Sequence, residues 1–382
     1  MRIDIKRIAT GFVGEYCYTH ARAAFDKSGF GIITTQPLRL SGSDIFYGMY
    51  MLKSFDGGDS WTDPEPCANL VRKPLGGGYE MGICDATPFY HKATDKIILI
   101  GYKNTYFNDG PAPSGTKNAT AYSVYDRETG DFGELCEIEL PEDLGDDFYF
   151  CANGCGQCFE CDNGDILIPV THYPLKIEGK PEGTMLASSS VLRCSFDGEK
   201  ISFISVGEPA RLNLGRGVYE PSVIKHGGRY YMCLRNDFDG YITRGDDGQS
   251  FEPIRPLCFD DGESVGNYNT QQHFISSDNA LYIVYTRRGA GNDHVFRHRA
   301  PLFIARVDTD RLCVIRSTEQ IAVPERGARL GNFGAVSIDE HHGFVIASEW
   351  MQTTPPDHSN YKRCMEYGSD NSIFVSRINF DD

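Results

Sequence analysis

The densest run of hydrogen-bonding side chains in this 382-residue chain lies in two neighbouring segments, YNTQQH at 268–273 and GNDHVFRHRAP at 291–301. Tyr268, Asn269, Gln271, Gln272 and His273 supply fixed donors and acceptors of the kind that a hydroxyl-rich ligand such as a sugar requires. His273 and His294 can also act as general bases, because imidazole titrates near neutrality. Cys151, Cys155, Cys158 and Cys161 form C-x3-C-x2-C-x2-C, a set of ligand types that suits zinc or an iron–sulfur cluster. The surrounding GQCFECDNGDILIPV reads as strand, turn and strand, which turns Cys158 and Cys161 to opposite sides, so packed thiols are expected there rather than a metal. His294 and His298 are four residues apart, but no helix is expected to bring them to one ion. No Gly-rich phosphate loop joins a strand to a helix, and no cofactor is expected.

The elements that must position these residues are strands. Short runs rich in β-branched and aromatic residues recur along the chain: FGIITTQ at 30–36, IFYGMYML at 45–52, KIILIGY at 96–102 and GDILIPV at 164–170. RYYMCLR at 229–235, ALYIVYTR at 280–287 and GFVIASEW at 343–350 continue the series, with Gly, Asp, Asn and Pro between them. No alternation of strand and helix appears, which argues against a parallel sheet with crossover helices.

Composition bounds the function. The chain has 53 acidic and 37 basic residues, a formal charge of −16, which disfavours nucleic acid or an anionic membrane surface as partner. No apolar run is long enough for a membrane-spanning helix, and the first residues, MRIDIKRIATGF, lack the apolar core of an export signal. With 13 Cys, an odd number, reduced thiols and a cytoplasmic location are expected.

A local unit repeats. SFDGGDSW spans Ser54–Trp61, RGDDGQSF spans Arg244–Phe251, and SFDGEKISF spans Ser195–Phe203. Weaker echoes follow at Asp126, Asp308 and Asn379, so that successive units starting from Asp56 lie 70, 71, 49, 62 and 71 residues apart, Asp246 standing for the second copy. In each, an Asp side chain can bond the backbone of its own turn, Gly supplies a positive φ and the aromatic closes the turn against the sheet. These Asp residues are expected to staple turns rather than to bind metal or catalyse. Six such units in 382 residues average about 64 residues each, the size of a four-stranded propeller blade with generous loops. The expectation is one all-β domain over 1–382, a six-bladed β-propeller.

SFDGGDSW and RGDDGQSF resemble the Asp-box (BNR) repeats of the sialidase superfamily, six-bladed propellers that cleave terminal sugars. An ordered set of further positions shares the likeness: Arg22 in HARAAF, Asp44 in SGSDIFY, Asp85 in GICDATPFY, Glu220 and Arg235 in YEPSVIKHGGRYYMCLRND, and Glu349 in VIASEW. The segment VFRHRAPLFIARVD offers Arg297, Arg299 and Arg306 as the last arginine, of which Arg299 is preferred. The chain departs from the family in two places. Arg22 lacks the Phe-Arg-Ile-Pro setting, and GNFGAV, with Asn332 and Phe333, stands where the catalytic Tyr is expected before Glu349.

The resemblance implies a carbohydrate substrate and an exo-acting glycoside hydrolase that releases a terminal sugar, acidic if Arg22, Arg235 and Arg299 form a carboxylate receptor. Asp85, Gln272 and Glu349 would complete the substrate contacts. Asp44 would be the proton donor, and Glu220 the base that activates a phenol, with Tyr268 replacing the missing Tyr, or that acts directly. His273 would be the base in a lyase. Two other functions fit the same residues: a polysaccharide lyase acting on a uronic acid, and a non-catalytic carbohydrate-binding propeller.

Overall fold

The computed structural model describes residues 1–40, 44–354 and 356–381. Apart from one six-residue α-helix, Tyr361–Glu366, and five single-turn 3₁₀ segments, the regular structure of the described residues is β. The apolar runs form strands where expected, for example Gly31–Arg39, Lys96–Phe107, Ile166–Tyr173, Arg229–Arg235 and His342–Ser348. Only Tyr50–Ser54 becomes a strand from the 45–52 run. Phe46 in that run makes an isolated bridge to Leu38 instead.

Hydrogen bonding divides the strands into five sheets. Four are compact antiparallel sheets of four or five strands, and one has thirteen strands, so the expected six separate blades are not what the pairing gives. The large sheet contains two meanders, one built on Tyr79–His91, Lys96–Phe107 and Ala119–Asp126, the other on Ile166–Tyr173, Ser188–Phe196 and Ile201–Val206. They are fused through Phe150–Ala152, which contributes a single parallel pair, Ala119 with Cys151, to the first meander. Apolar clusters lie between neighbouring meanders around the whole ring. Ile97 and Leu99 pack toward Ile32 and Met51, whereas Ile98 and Ile100 pack toward Ile168 and Val170. That split follows from strand alternation, with each inner sheet buried on both faces. The ring closes where Phe344 and Val375 meet Ala23 and Leu52. Its clasp is the strand Arg2–Ile8, which pairs over seven residues with Ile373–Asn379 from the other end of the chain.

The repeated Asp residues act on their own turns. Asp56 Oδ1 accepts the Ser60 N–H at 2.8 Å and its Oδ2 accepts the Ser60 hydroxyl at 2.6 Å, while Gly57 and Gly58 take φ of 69° and 86°. These bonds, the Ser60 hydroxyl foremost, lower its pKa to about 2. Trp61 closes the turn edge-on against Phe25. In RGDDGQSF the staple is Asp247, one residue later than the sequence alignment places it. Asp247 Oδ1 accepts from Gln249 and Ser250 N–H, and Asp246 faces outward to Arg229. Asp126, Asp197 and Asp308 bond backbone N–H groups of their turns in the same way, whereas Asn379 ends a strand and bonds Asp4. Asp56→Ala is expected to lower the melting temperature by a few degrees, on the scale of a lost cap, in a thermal scan against the parent chain. An unchanged melting temperature would contradict the role of the turn.

Candidate active site

Three inner strands are interrupted near their start by bulges, where pairing skips from Thr19 to Arg22, from Cys84 to Thr87 and from Tyr219 to Ser222. One residue in each bulge is left-handed: His20 (φ 58°), Asp85 (φ 51°) and Glu220 (φ 49°). Cys155 (φ 55°) and Asn269 (φ 49°) adopt the same conformation at the entrance to two further meanders. A bulge re-aims a side chain out of strand alternation, and strain of this kind in non-glycine residues concentrates at functional sites. Here it gathers residues from separate blades into one polar network at the end of the ring where the inner strands begin, called the top face below.

One half of the network is centred on Asp85. His20 Nδ1 lies 2.9 Å from Asp85 Oδ1, off the ideal donor line, so the contact is chiefly electrostatic. Asn332 Nδ2 lies 2.9 Å from His20 Nε2, which assigns the imidazole proton to Nδ1. Burial, set against the pull of Asp85, lowers the His20 pKa. The Cys155 thiol donates to Asp85 Oδ1 at 3.3 Å and accepts from Arg22 Nη2 at 2.9 Å. Burial opposes ionisation of Asp85, but His20, Arg22 and the thiol outweigh it and hold the carboxyl well below 3.8. Arg22 is fully buried, its other nitrogens donating to the carbonyls of Phe333 and Ala86. It therefore forms the floor of the site.

The other half is centred on Arg235. Its Nη1 donates to Glu220 Oε1 at 2.6 Å and its Nη2 to Asn269 Oδ1 at 2.5 Å. Arg216 reaches the same Asn269 oxygen at 3.1 Å and pairs with Asp237 at 2.6 Å. Arg299 ties the halves together, donating to Asn332 Oδ1 at 3.1 Å and to the Asn269 carbonyl. Gly331 permits this approach, since a Cβ there would lie 2.4 Å from Arg299 Cδ. Burial, reinforced by the charges of Arg235, Arg329 and Arg297, drives the Arg299 pKa well below the ordinary arginine value. Burial likewise lowers Arg329 to about 9, with Arg297 and Arg235 adding to the effect and Asp44 partly offsetting it. A guanidinium does not give up its proton in a protein, so these shifts express the cost of burying charge beside like charges.

The remaining expected site residues divide into three groups. Asp44 is exposed on the rim, and its charge is felt by His20, Arg297 and Arg329. Its neighbours 41–43 lie outside the described residues. Tyr268 is also at the rim, its hydroxyl 2.7 Å from His298 Nδ1 and its ring beneath Arg288. Below the site lie His273 and Gln272. His273 is 2% exposed, bonds Ser222 and packs edge-on against Phe333; burial first, then Arg22, lowers its pKa to about 3. Gln272 turns its amide to the Thr270 carbonyl. Both are almost wholly buried, set back from the substrate contact and the lyase base expected of them. Glu349 is separate again. Its Oε2 accepts from the N–H groups of Asp370 and Ser372, Oε1 lies 3.5 Å from Arg326, and burial raises its pKa to about 7.

The four cysteines of the spaced motif disperse. Cys151 and Cys158 join one inter-blade cluster, Cys161 joins another, and Cys155 goes to the site. Sequence reading missed His20, Cys155, Arg216 and Arg329. The only signal for His20 was its place two residues ahead of Arg22. Arg329 carried none. Where the inner strands end, a cavity of about 1250 Å³ opens on the opposite side of the ring, bordered by Asp26, Lys92, Phe159 and Asp339.

No family model matches the chain, and no curated protein matches its sequence. Solved structures match its fold. A protein of unknown function from Dyadobacter fermentans superposes with a TM-score of 0.66 at 15% identity, over 98% of this chain and 99% of that one. Trypanosoma rangeli sialidase gives 0.63 at 11% identity over 98% of this chain, which spans 59% of the length of that protein. A leech intramolecular trans-sialidase gives 0.55 at 13% identity, over 90% of this chain and 66% of that one. At such identities the likeness establishes the fold, a sialidase-like propeller.

The depressed pKa of Asp85 makes a signed prediction. Near neutral pH the carboxyl is ionised in folded and unfolded chains alike, so its full stabilisation is present. Below 3.8 the unfolded chain takes up the proton first, and the contribution is lost as pH falls further. Asp85→Asn should therefore lower the melting temperature near neutral pH, and the gap from the parent should shrink in acid. A gap that is constant with pH would contradict the assignment.

Proposed function

We propose that the chain is an exo-acting glycoside hydrolase that releases a terminal acidic sugar. The observation carrying this reading is the buried guanidinium cluster at the top face, in which Arg299 has no carboxylate within salt-bridge distance among the described residues and sits beside Arg235. A sugar carboxylate would fit between the two guanidiniums in the forked geometry that arginine favours. The sialidase-like propeller fold supports a carbohydrate ligand. The structures of Trypanosoma rangeli sialidase include one in complex with sialic acid.

In this reading Asp44 protonates the glycosidic oxygen from the rim. Glu220 keeps Oε1 on Arg235 and has a second, buried oxygen without a partner, which would take a proton from the attacking group. Asn332 occupies the place of the family's catalytic Tyr and is held by His20 and Arg299, so attack by water activated at Glu220 replaces a phenol nucleophile. Arg235 supports the base and the substrate carboxylate together. Burial opposes its charge, but the Glu220 carboxylate outweighs it and raises the Arg235 pKa above the ordinary arginine value.

One observation favours a lyase acting on a uronic acid. Tyr268 OH is 2.7 Å from His298 Nδ1 and His298 Nε2 is 3.1 Å from Asp293, a relay through which a phenol can pass a proton. The two reactions differ in product. A panel of sialosides, uronides and neutral glycosides should give a free reducing sugar from an acidic glycoside, with Asp44→Asn and Glu220→Gln each at least ~100-fold slower while still binding. An unsaturated, ultraviolet-absorbing product, lost in Tyr268→Phe, would transfer the assignment to the lyase. Binding without turnover across the panel, unchanged in both variants, would leave a carbohydrate-binding propeller.

A further inference from the structure

We propose that the top-face site is built for a sugar bearing two anionic groups, the second seated by Arg297 and Arg329 beside the carboxylate seat of Arg235 and Arg299. The inference rests on the carboxylate reading of Arg235 and Arg299 and adds the class of substrate.

Arg235 is matched by Glu220 at 2.6 Å and Arg216 by Asp237 at 2.6 Å. Among the described residues, no carboxylate stands within salt-bridge distance of Arg297, Arg299 or Arg329. Arg299 and Arg329 are each 3% exposed, so solvent screens their charges weakly, and each leaves its buried Nε without an acceptor. Asp44 is the acidic group whose charge reaches both Arg297 and Arg329. Glu220 is felt by Arg299 but is committed to Arg235. Arg299 and Arg329 are thus two buried guanidiniums without a paired carboxylate among the described residues, and the exposed Arg297 adds positive charge beside Arg329. A single substrate carboxylate seated on Arg299 would leave Arg329 without one.

Geometry separates the two seats. Arg299 is fixed by Asn332 and the Asn269 carbonyl, on the side of Arg235. Arg329 instead lies 3.4 Å above the Trp350 ring, is held by Gln352, and shares the Phe296 ring with Arg297, at 5.0 and 4.9 Å. Stacking on aromatic rings orients a guanidinium without neutralising it, leaving its charge for a ligand. The second group is therefore a sulfate ester, a phosphate ester or another carboxylate, all of which accept the same forked hydrogen bonds.

Calorimetric titration of the full chain tests this with the methyl glycosides of glucuronic acid and N-acetylneuraminic acid, each unmodified and as its mono-O-sulfates. At least one sulfated acid should bind roughly tenfold or more tightly than its unsulfated parent, as expected for an added charge-assisted contact. Arg329→Met should bring that ratio close to one. Arg297→Gln, at an exposed position that does not support the core, should reduce it too and serves if Arg329→Met does not fold. Equal affinity for sulfated and unsulfated acids, or a sulfate advantage that survives the substitution, overturns the second seat while leaving the first intact. Failure of every acidic glycoside to bind overturns the carboxylate seat and this inference with it.

Discussion

The site depends on closure of the ring. His20 and Asn332 are 312 residues apart in sequence and their side chains are 2.9 Å apart in space. That contact exists because Arg2–Ile8 completes the last sheet, bringing the first inner strand alongside the last. The inter-blade clusters then fix the spacing. Ala23 and Leu52 on one side meet Phe344 and Val375 on the other, and because such cores pack to crystal density the inner strands have little freedom to drift. The bulges convert this rigid ring into a site by turning one side chain per strand out of its alternation. The strained residues are held by the fold on both sides, and this lets their unfavourable backbone persist.

A second consequence is electrostatic. The molecule carries a net charge of −16, yet the axis at the top face holds a concentration of buried guanidiniums. A global field of that sign repels an anionic ligand at long range, but at physiological salt it is screened over about 8 Å, so the local seat decides binding. In the proposed function this arrangement favours acidic sugars over neutral ones. Arg22, by contrast, is satisfied by two carbonyls and a thiol and acts as a structural floor.

The legible parts of the molecule were those governed by short-range rules. Strands were visible from β-branched and aromatic runs between turn residues, and Asp56 from the hydrogen bonds its turn must make. Glu220 and Arg235 were visible as neighbours on one hairpin, Tyr219–His226 with Arg229–Arg235, although Arg235 pairs with Tyr219 and Glu220 sits in the bulge beside it. What stayed hidden was the effect of the bulge in the first inner strand. Strict alternation puts His20 and Arg22 on the same side of the strand, but the skip between Thr19 and Arg22 sends His20 to the axis and Arg22 beneath it. A one-residue shift likewise moved the second turn staple from Asp246 to Asp247. Arg329 was invisible because its role comes from Trp350 and Phe296, which no local pattern ties to it. The fusion of two meanders through Cys151 was hidden for the same reason, being a single long-range pair.

The central claim is that the guanidinium cluster, and not the cavity of about 1250 Å³ at the other end of the axis, receives the acidic group of a sugar. A crystal structure of the chain with a bound acidic monosaccharide tests it directly. The account predicts density at the top face, with the sugar carboxylate within hydrogen-bond distance of Arg235 and Arg299. A carboxylate bound in the opposite cavity, or at the top face with Arg235 and Arg299 untouched, would contradict it.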